Sequence, residues 1–243
     1  MLGGLVAVGA AVLATVVAGA VVSDPLPDGV VSERAEELTL AIQQSVNTTA
    51  WEQTGAVRWT FAGRNQHLWD RQRHLGRVQW ADKTVLINLS TQQGRAYVDG
   101  QEVSGKKAAR LIERAWSMWC NDAFWLNPIA KMQDEGTTRS IVALPDGGEA
   151  VMISYSSGGV TPGDAYLWIP GAEGRPEAWR MWVSIIPIGG LQASWADWQT
   201  LSTGAVVATH HTIGPLELVL TDVEGAATLA ELVPGDDPFA PLL

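Results

Sequence analysis

The stretch Gly55–Gly100, GAVRWTFAGRNQHLWDRQRHLGRVQWADKTVLINLSTQQGRAYVDG, decides the fold class. Val57, Trp59 and Phe61 alternate with Arg58 and Thr60, and Val85, Ile87 and Leu89 share one face of Thr84–Ser90. A period of two is that of a strand, whose successive side chains point to opposite faces. His67–Arg73, Gly76–Trp80 and Arg95–Val98 read as further strands. The breaks are short and polar: Gly63-Arg64-Asn65, Ala81-Asp82-Lys83, Gln92-Gln93-Gly94 and the tight-turn dipeptide Asp99-Gly100. Strands this short and this close predict an antiparallel meander with one wet and one dry face.

On either side of the meander the period changes to that of a helix. Ser32 reads as an N-cap, followed by Glu33, Glu36 and Glu37 near the positive end, and Ala35, Leu38, Ile42 and Val46 form a stripe. Ser104–Cys120 carries a second stripe of Ala108, Leu111, Ile112, Ala115, Trp116 and Trp119, with a stop at Asn121-Asp122. Phe124–Met132 then reads as an apolar flap, because Phe124, Trp125 and Leu126 are costly to expose. Strands resume at Thr138–Leu144 and Glu149–Ser156, and three more are expected within Val160–Trp198. Gly204–Thr212 and Leu216–Val223 close the regular part, giving about ten or eleven strands.

The ends are of another kind. Residues 1–22 hold no charge and end near Ala18-Gly19-Ala20, which fits a signal peptide or a membrane anchor. Residues 23–31 are a Pro/Gly/Asp linker, 32–224 a single domain, and 225–243 an irregular tail.

Composition narrows the function. The 47% hydrophobic content excludes disorder for the body, and a formal net charge of −10 argues against nucleic acid or an anionic membrane surface as the main partner. The single cysteine, Cys120, precludes an intrachain disulfide. Gly100–Lys107 imitates a phosphate-binding loop but has Lys107 where a hydroxyl is needed, and it follows a meander strand. His210 and His211 are strand neighbours on opposite faces and cannot share a metal ion, so one is expected in the core and one outside. The carboxylates Asp134-Glu135 and Asp236-Asp237 sit in loops. No nucleophile–base motif, metal cluster or cofactor motif is present, so no enzyme, metal or cofactor is predicted.

What remains is aromatic surface: twelve Trp against three Phe and three Tyr. In Trp179–Ile185, alternation places Trp179 on one face and Trp182 on the other, and Trp195 and Trp198 likewise fall on opposite faces. Both faces of these strands therefore need a cover.

This element order, with Asn121-Asp122-Ala-Phe124-Trp125-Leu126, Gly159–Trp168 and Pro187-Ile188-Gly189-Gly190, resembles the bacterial outer-membrane lipoprotein-carrier superfamily. It is most similar to uncharacterised exported bacterial proteins near that group, and the likeness spans about Trp59 to Val223. The resemblance implies an incomplete barrel whose apolar concave face is lidded by helices and holds acyl chains. Those carriers latch the lid with an arginine near an early strand. Arg58, Arg64, Arg71, Arg73 and Arg77 crowd that region here and none matches specifically. The expectation is an α+β protein, a strongly curved antiparallel sheet or incomplete β-barrel with two main helices on its concave side. It would be an exported, periplasmic or membrane-anchored, non-catalytic carrier or sensor of lipid or of the acyl chain of a lipoprotein, with an inner- or outer-membrane partner protein. Trp59, Phe61, Trp80, Trp116, Trp119, Trp125, Trp168, Trp182 and Trp198 would line the site. The alternatives are a glycan-binding module with exposed Trp faces and a ligand-free envelope scaffold.

Overall fold

The computed structural model describes residues 23–157 and 163–243, so the segment 1–22 and part of the Gly159–Trp168 motif lie outside the described residues. The described residues form an α+β protein with two antiparallel sheets and no closed barrel. The nine-stranded sheet has the order β12-β13-β14-β1-β2-β3-β4-β5-β6 and the five-stranded sheet β11-β10-β9-β8-β7. The described residues divide into two compact units: 23–48, 127–157, 163–198 and 210–218; and 49–126, 199–209 and 219–243. Among the described residues no helix is long and apolar enough to cross a membrane.

In the second unit the meander is β1 (Ala56–Phe61), β2 (Asn65–Asp70), β3 (Leu75–Trp80), β4 (Lys83–Asn88), β5 (Gly94–Val98) and β6 (Gln101–Val103). Each strand pairs with the next in continuous register. Its hairpins have the tightness that the polar breaks predict. Asp99 and Gly100 have φ of 51° and 74°, the left-handed pair that a right-twisted two-residue turn demands, and the three-residue turn Ala62–Arg64 opens with φ of 50° and 64° at Ala62 and Gly63. Strand β14 (Leu216–Ala226) pairs with β1 from Ala56–Ala226 to Phe61–Leu220, with a bulge between Arg58 and Thr60.

Helix α3 (Gly105–Leu126) lies on β3, β4 and β5; α1 (Glu33–Ser45) and α2 (Thr48–Gln53) precede the meander. Under α3, Val78, Trp80, Val85, Ile87, Ala96 and Ala115 form one core cluster, with Trp69, Trp116, Met118 and Trp119 packed against it. The helix runs straight through the stop expected at Asn121-Asp122. An aspartate ends a helix when its side chain captures local backbone groups; that of Asp122 instead turns into the sheet, where Asn65 and His67 hold it. The flap expected at Phe124–Met132 is likewise corrected. Phe124–Leu126 finish α3, Ile129–Lys131 form a 3-10 turn, and Leu126, Ile129 and Met132 are fully buried.

The meander's other face is only partly wet. Leu68, Leu75 and Leu86 point there and are buried with Ala56, Ala226, Leu232 and Phe239. Their cover is the segment expected as a tail. It holds the short helix α4 (Leu229–Leu232), capped by Thr228 Oγ1 accepting from Glu231 N, and it buries Phe239 completely. Three leucines on a nominally polar face require such a cover.

In the first unit, β7 (Thr137–Ala143), β8 (Glu149–Tyr155), β9 (Ala165–Pro170), β10 (Pro176–Trp182) and β11 (Leu191–Ser194) pair in turn. Helix α1 packs on β7 and β8 through Ala35, Thr39, Ile42 and Gln43, with Arg139 gripping Glu36 at 2.7 Å. The sheet face opposite Trp179 buries Val142, Ala150, Met152, Ala165 and Leu167, with Trp182 against them. Over Trp182 runs the linker, whose Asp24 O accepts the indole N–H at 2.9 Å while its carboxylate takes Arg180. So Trp179 and Trp182 do occupy opposite, separately covered faces. Trp195 and Trp198 do not: their rings lie 6.2 Å apart. The chain is broken there, with β11 ending at Ser194, β12 (Ala196–Thr200) beginning afresh, and Asp197 at φ 52°. Strand β13 (Val206–Ile213) meets the edge of β11 through Ser194, whose O lies 3.0 Å from His211 Nδ1 and whose Oγ accepts from Thr212 N. Splitting β11 from β12, and the short β6, contribute two of the strands beyond the expected ten or eleven.

Candidate functional site

The least ordinary chemistry lies along the face of β2 that looks toward α3. Alternation brings Asn65, His67 and Trp69 to that face, and Arg71 follows at the strand's end. Asp122 and Trp119 on α3 are three residues apart and therefore neighbours on one helix face. The result is a seam that is polar at one end and aromatic at the other.

At the polar end His67 Nε2 lies 2.7 Å from Asp122 Oδ2, which also accepts from Asn65 Nδ2 at 2.8 Å; Oδ1 accepts from Asn121 Nδ2 at 2.9 Å. The His67 and Asp122 side chains are 0% and 2% exposed. The Trp59 indole lies flat on the imidazole, 4.5 Å away and 13° from parallel. His67 Nδ1 and Trp59 Nε1 are buried and have no hydrogen-bond partner among the described residues. A carboxylate withdrawn from water needs this number of donors to stay there.

At the aromatic end Trp69 meets Trp119 edge-on at 5.1 Å and Trp51 at 6.3 Å, and Trp116 stacks on Trp119 at 5.5 Å. The Arg71 guanidinium sits 4.4 Å over Trp51 and 5.2 Å from Trp69. Its Nη1 donates to the carbonyl oxygens of Trp51, which also accepts from Thr54 N, and of Thr54, just past the end of α2. Burial lowers the Arg71 guanidinium to about 10 against the pull of Glu52, so it remains charged at neutral pH. Of the five early arginines, Arg71 is the one that ties a helix end to the meander. Arg58 pairs with Glu224, and Arg73 with Asp70 and Asp237.

Sequence reasoning left His67, Asn65 and Asp122 out of the site. The signal was the alternation Asn65-His67-Trp69-Arg71, which places four side chains able to hydrogen-bond on the dry face of a meander.

The nine aromatic residues expected to line a site divide between the two units. Trp59, Phe61, Trp80, Trp116, Trp119 and Trp125 belong to one; Trp168, Trp182 and Trp198 to the other. Trp80, Trp116 and Trp119 do come together, on the core cluster under α3, with Arg114 5.7 Å over Trp80. Trp59, Phe61 and Trp168 are buried to 2% exposure or less, and Trp125 is half-buried near the end of α3. In the first unit Trp168, Trp179 and Trp195 pack mutually at 5.0, 5.1 and 4.9 Å, with the His211 ring 4.3 Å from Trp195. Two clefts among the described residues, of about 230 and about 320 Å³, lie elsewhere. One runs along Gln199–Ser202 and Val223–Ala226, the other between Arg73 and Val233, and none of the nine aromatics lines either. Among the described residues, no three His, Cys, Asp or Glu side chains converge as metal ligands.

His210 and His211 do part to opposite sides. His211 is fully buried, and His210 is 30% exposed with its Nδ1 3.3 Å from the Asp197 carboxylate.

No protein-family model matches this chain, and no curated protein matches it. Among solved structures, the chain is similar to a DUF1329 family protein from Desulfovibrio piger, with a TM-score of 0.39 and 8% sequence identity over 82% of this chain and 94% of that one.

Proposed function

We propose that this chain is an exported, non-catalytic protein that binds lipid or the acyl chain of a lipidated protein, in the periplasm or tethered to a membrane facing it. A membrane partner protein would load or unload it. The observation that carries the reading is how α3 is held. One amphipathic helix covers the dry face of β3–β5 with half-buried indoles, and Asp122 is its buried polar tie to the sheet. As packed, the helix's own Trp116 and Trp119 occupy the place of a ligand. Moving α3 uncovers a continuous surface of Val78, Trp80, Val85, Ile87 and Ala96. An acyl chain laid there gains about 25 cal/mol per Å² of apolar area removed from water, less the cost of ordering it. Catalysis by His67 and Asp122 is disfavoured because neither side chain reaches solvent.

Native mass spectrometry after gentle purification from the native host tests this, together with Trp fluorescence on adding fatty acid. Co-purified lipid, and a larger fluorescence response in Asp122→Ala, are expected. No bound lipid and no response in either protein sinks the reading. A second reading, a scaffold with a filled core, is favoured by the mutual packing of Trp168, Trp179 and Trp195, and that negative result would select it. A glycan module needs displayed indoles. None of the twelve tryptophans is exposed, and the stacked pair Trp116–Trp119 is half-buried in the helix contact.

A further inference from the structure

The meander face turned away from α3 carries a row of residues that the acyl-binding reading does not use. Register places Arg58 opposite Leu68, Leu68 opposite Arg77, Arg77 opposite Leu86, and Leu86 opposite Arg95. One line across five strands therefore reads Arg-Leu-Arg-Leu-Arg. The outer arginines are neutralised: Arg58 by Glu224 at 2.6 Å and Arg95 by Glu102 at 3.3 Å. The central one is not. Among the described residues Arg77 has no ion pair and no hydrogen bond, and its Nε is shut off from solvent without an acceptor. Leu68 and Leu86, 1% and 5% exposed, wall it on both sides.

A half-buried guanidinium with no counter-ion is costly, because desolvation is offset only by a partner. Burial, and then the charge of Arg58, lower its proton affinity. The next row along the same face supplies neutral groups in place of a carboxylate: Gln66, Gln79 and Thr84, with the Gln79 amide donating to Thr84 Oγ1 at 3.2 Å. Amide and hydroxyl groups beside a planar fork are donors for an oxyanion with more than two oxygens. We propose that Arg77, with Gln66 and Gln79 beside it, is the recognition site for a phosphoryl group on the face opposite α3. The site is independent of the acyl-binding reading, since it shares no residue with the seam at α3. In a chain of net charge −10, long-range attraction does not recruit anions, so this is a short-range contact that the fork itself selects.

The test compares the full chain with Arg77→Gln and Arg77→Lys. Inorganic phosphate is titrated at fixed ionic strength against acetate, with thermal unfolding as readout. Flotation with phosphatidylcholine vesicles, with and without phosphatidylglycerol, is the second arm. Phosphate raising the melting temperature more than acetate does marks a free phosphate; retention by the phosphatidylglycerol vesicles alone marks a lipid headgroup. In either case Arg77→Gln weakens binding about tenfold or more, the loss of one charged hydrogen-bonding group, and Arg77→Lys restores part of it. Removing an uncompensated charge leaves unliganded Arg77→Gln as stable as the parent or more so, which keeps the variant testable. The proposal is overturned if neither phosphate nor vesicles bind, if acetate stabilises as well as phosphate, or if Arg77→Gln binds like the parent.

Discussion

His67 Nε2 lies 2.7 Å from Asp122 Oδ2, joining the second meander strand to the long helix across 55 residues of sequence, with both side chains out of reach of solvent. Breaking one partner leaves the other buried and unsatisfied, along with Asn65. Asp122→Ala should therefore destabilise the fold by about 3 kcal/mol, read from the urea midpoint. The double replacement His67→Phe with Asp122→Leu should cost clearly less than Asp122→Ala, because it removes the fully buried imidazole together with the carboxylate and leaves only the part-exposed Asn65 and Asn121 without their acceptor. Equal losses in the two proteins would show that packing, not the polar tie, is what matters there.

Arg71 holds the end of α2 through two backbone carbonyls and stacks on Trp51. Arg71→Lys keeps the charge but not the planar fork, so it should lose nearly as much as Arg71→Ala, about 2 kcal/mol. Amide hydrogen exchange should localise the loss to the α2 segment and the start of β1. Full rescue by lysine would mean that only the charge is needed.

His211 gives a pH signature. Burial, outweighing the hydrogen bond with Ser194 O and helped by His210, lowers it from 6.5 to about 4. Between those values the unfolded chain binds a proton that the folded chain refuses. Stability is complete above about pH 6.5 and falls as the pH drops toward 4, by on the order of 3 kcal/mol. His211→Asn should flatten this slope in denaturant titrations over the window. An unchanged slope would assign the acid sensitivity to other groups.

Phe239, four residues before Leu243, is fully buried against the meander's second face. Phe239→Ala should cost about 3–4 kcal/mol by core truncation, and deletion of residues 229–243 should raise binding of a hydrophobic dye by uncovering Leu68, Leu75 and Leu86. A tail that packs on nothing would give no change in either measurement.

The expectations that held concern neighbours in sequence. The meander, its Asp99-Gly100 turn, the stripe of α1, and the opposite faces of Trp179 and Trp182 all follow from a period of 2 or 3.6, which nearby residues impose on one another. The same rule failed for Trp195 and Trp198, because a two-residue period holds only while the strand continues, and this one breaks between them. The stop at Asn121-Asp122 failed for a different cause: the side chain that would have ended the helix was claimed by a strand far away in sequence.

By itself, then, the sequence determined the class of fold, the opposite faces of Trp179 and Trp182 and the separation of His210 from His211. Each of these rests on backbone geometry that repeats from residue to residue. Only the tertiary structure decided that the indoles fill one another's space, that Asp122 belongs to His67, that Phe239 covers the outer leucines and that Arg77 has no counter-ion among the described residues. Pairing of buried polar and aromatic groups depends on which distant surfaces meet, and the alternation along a strand carries no information about that.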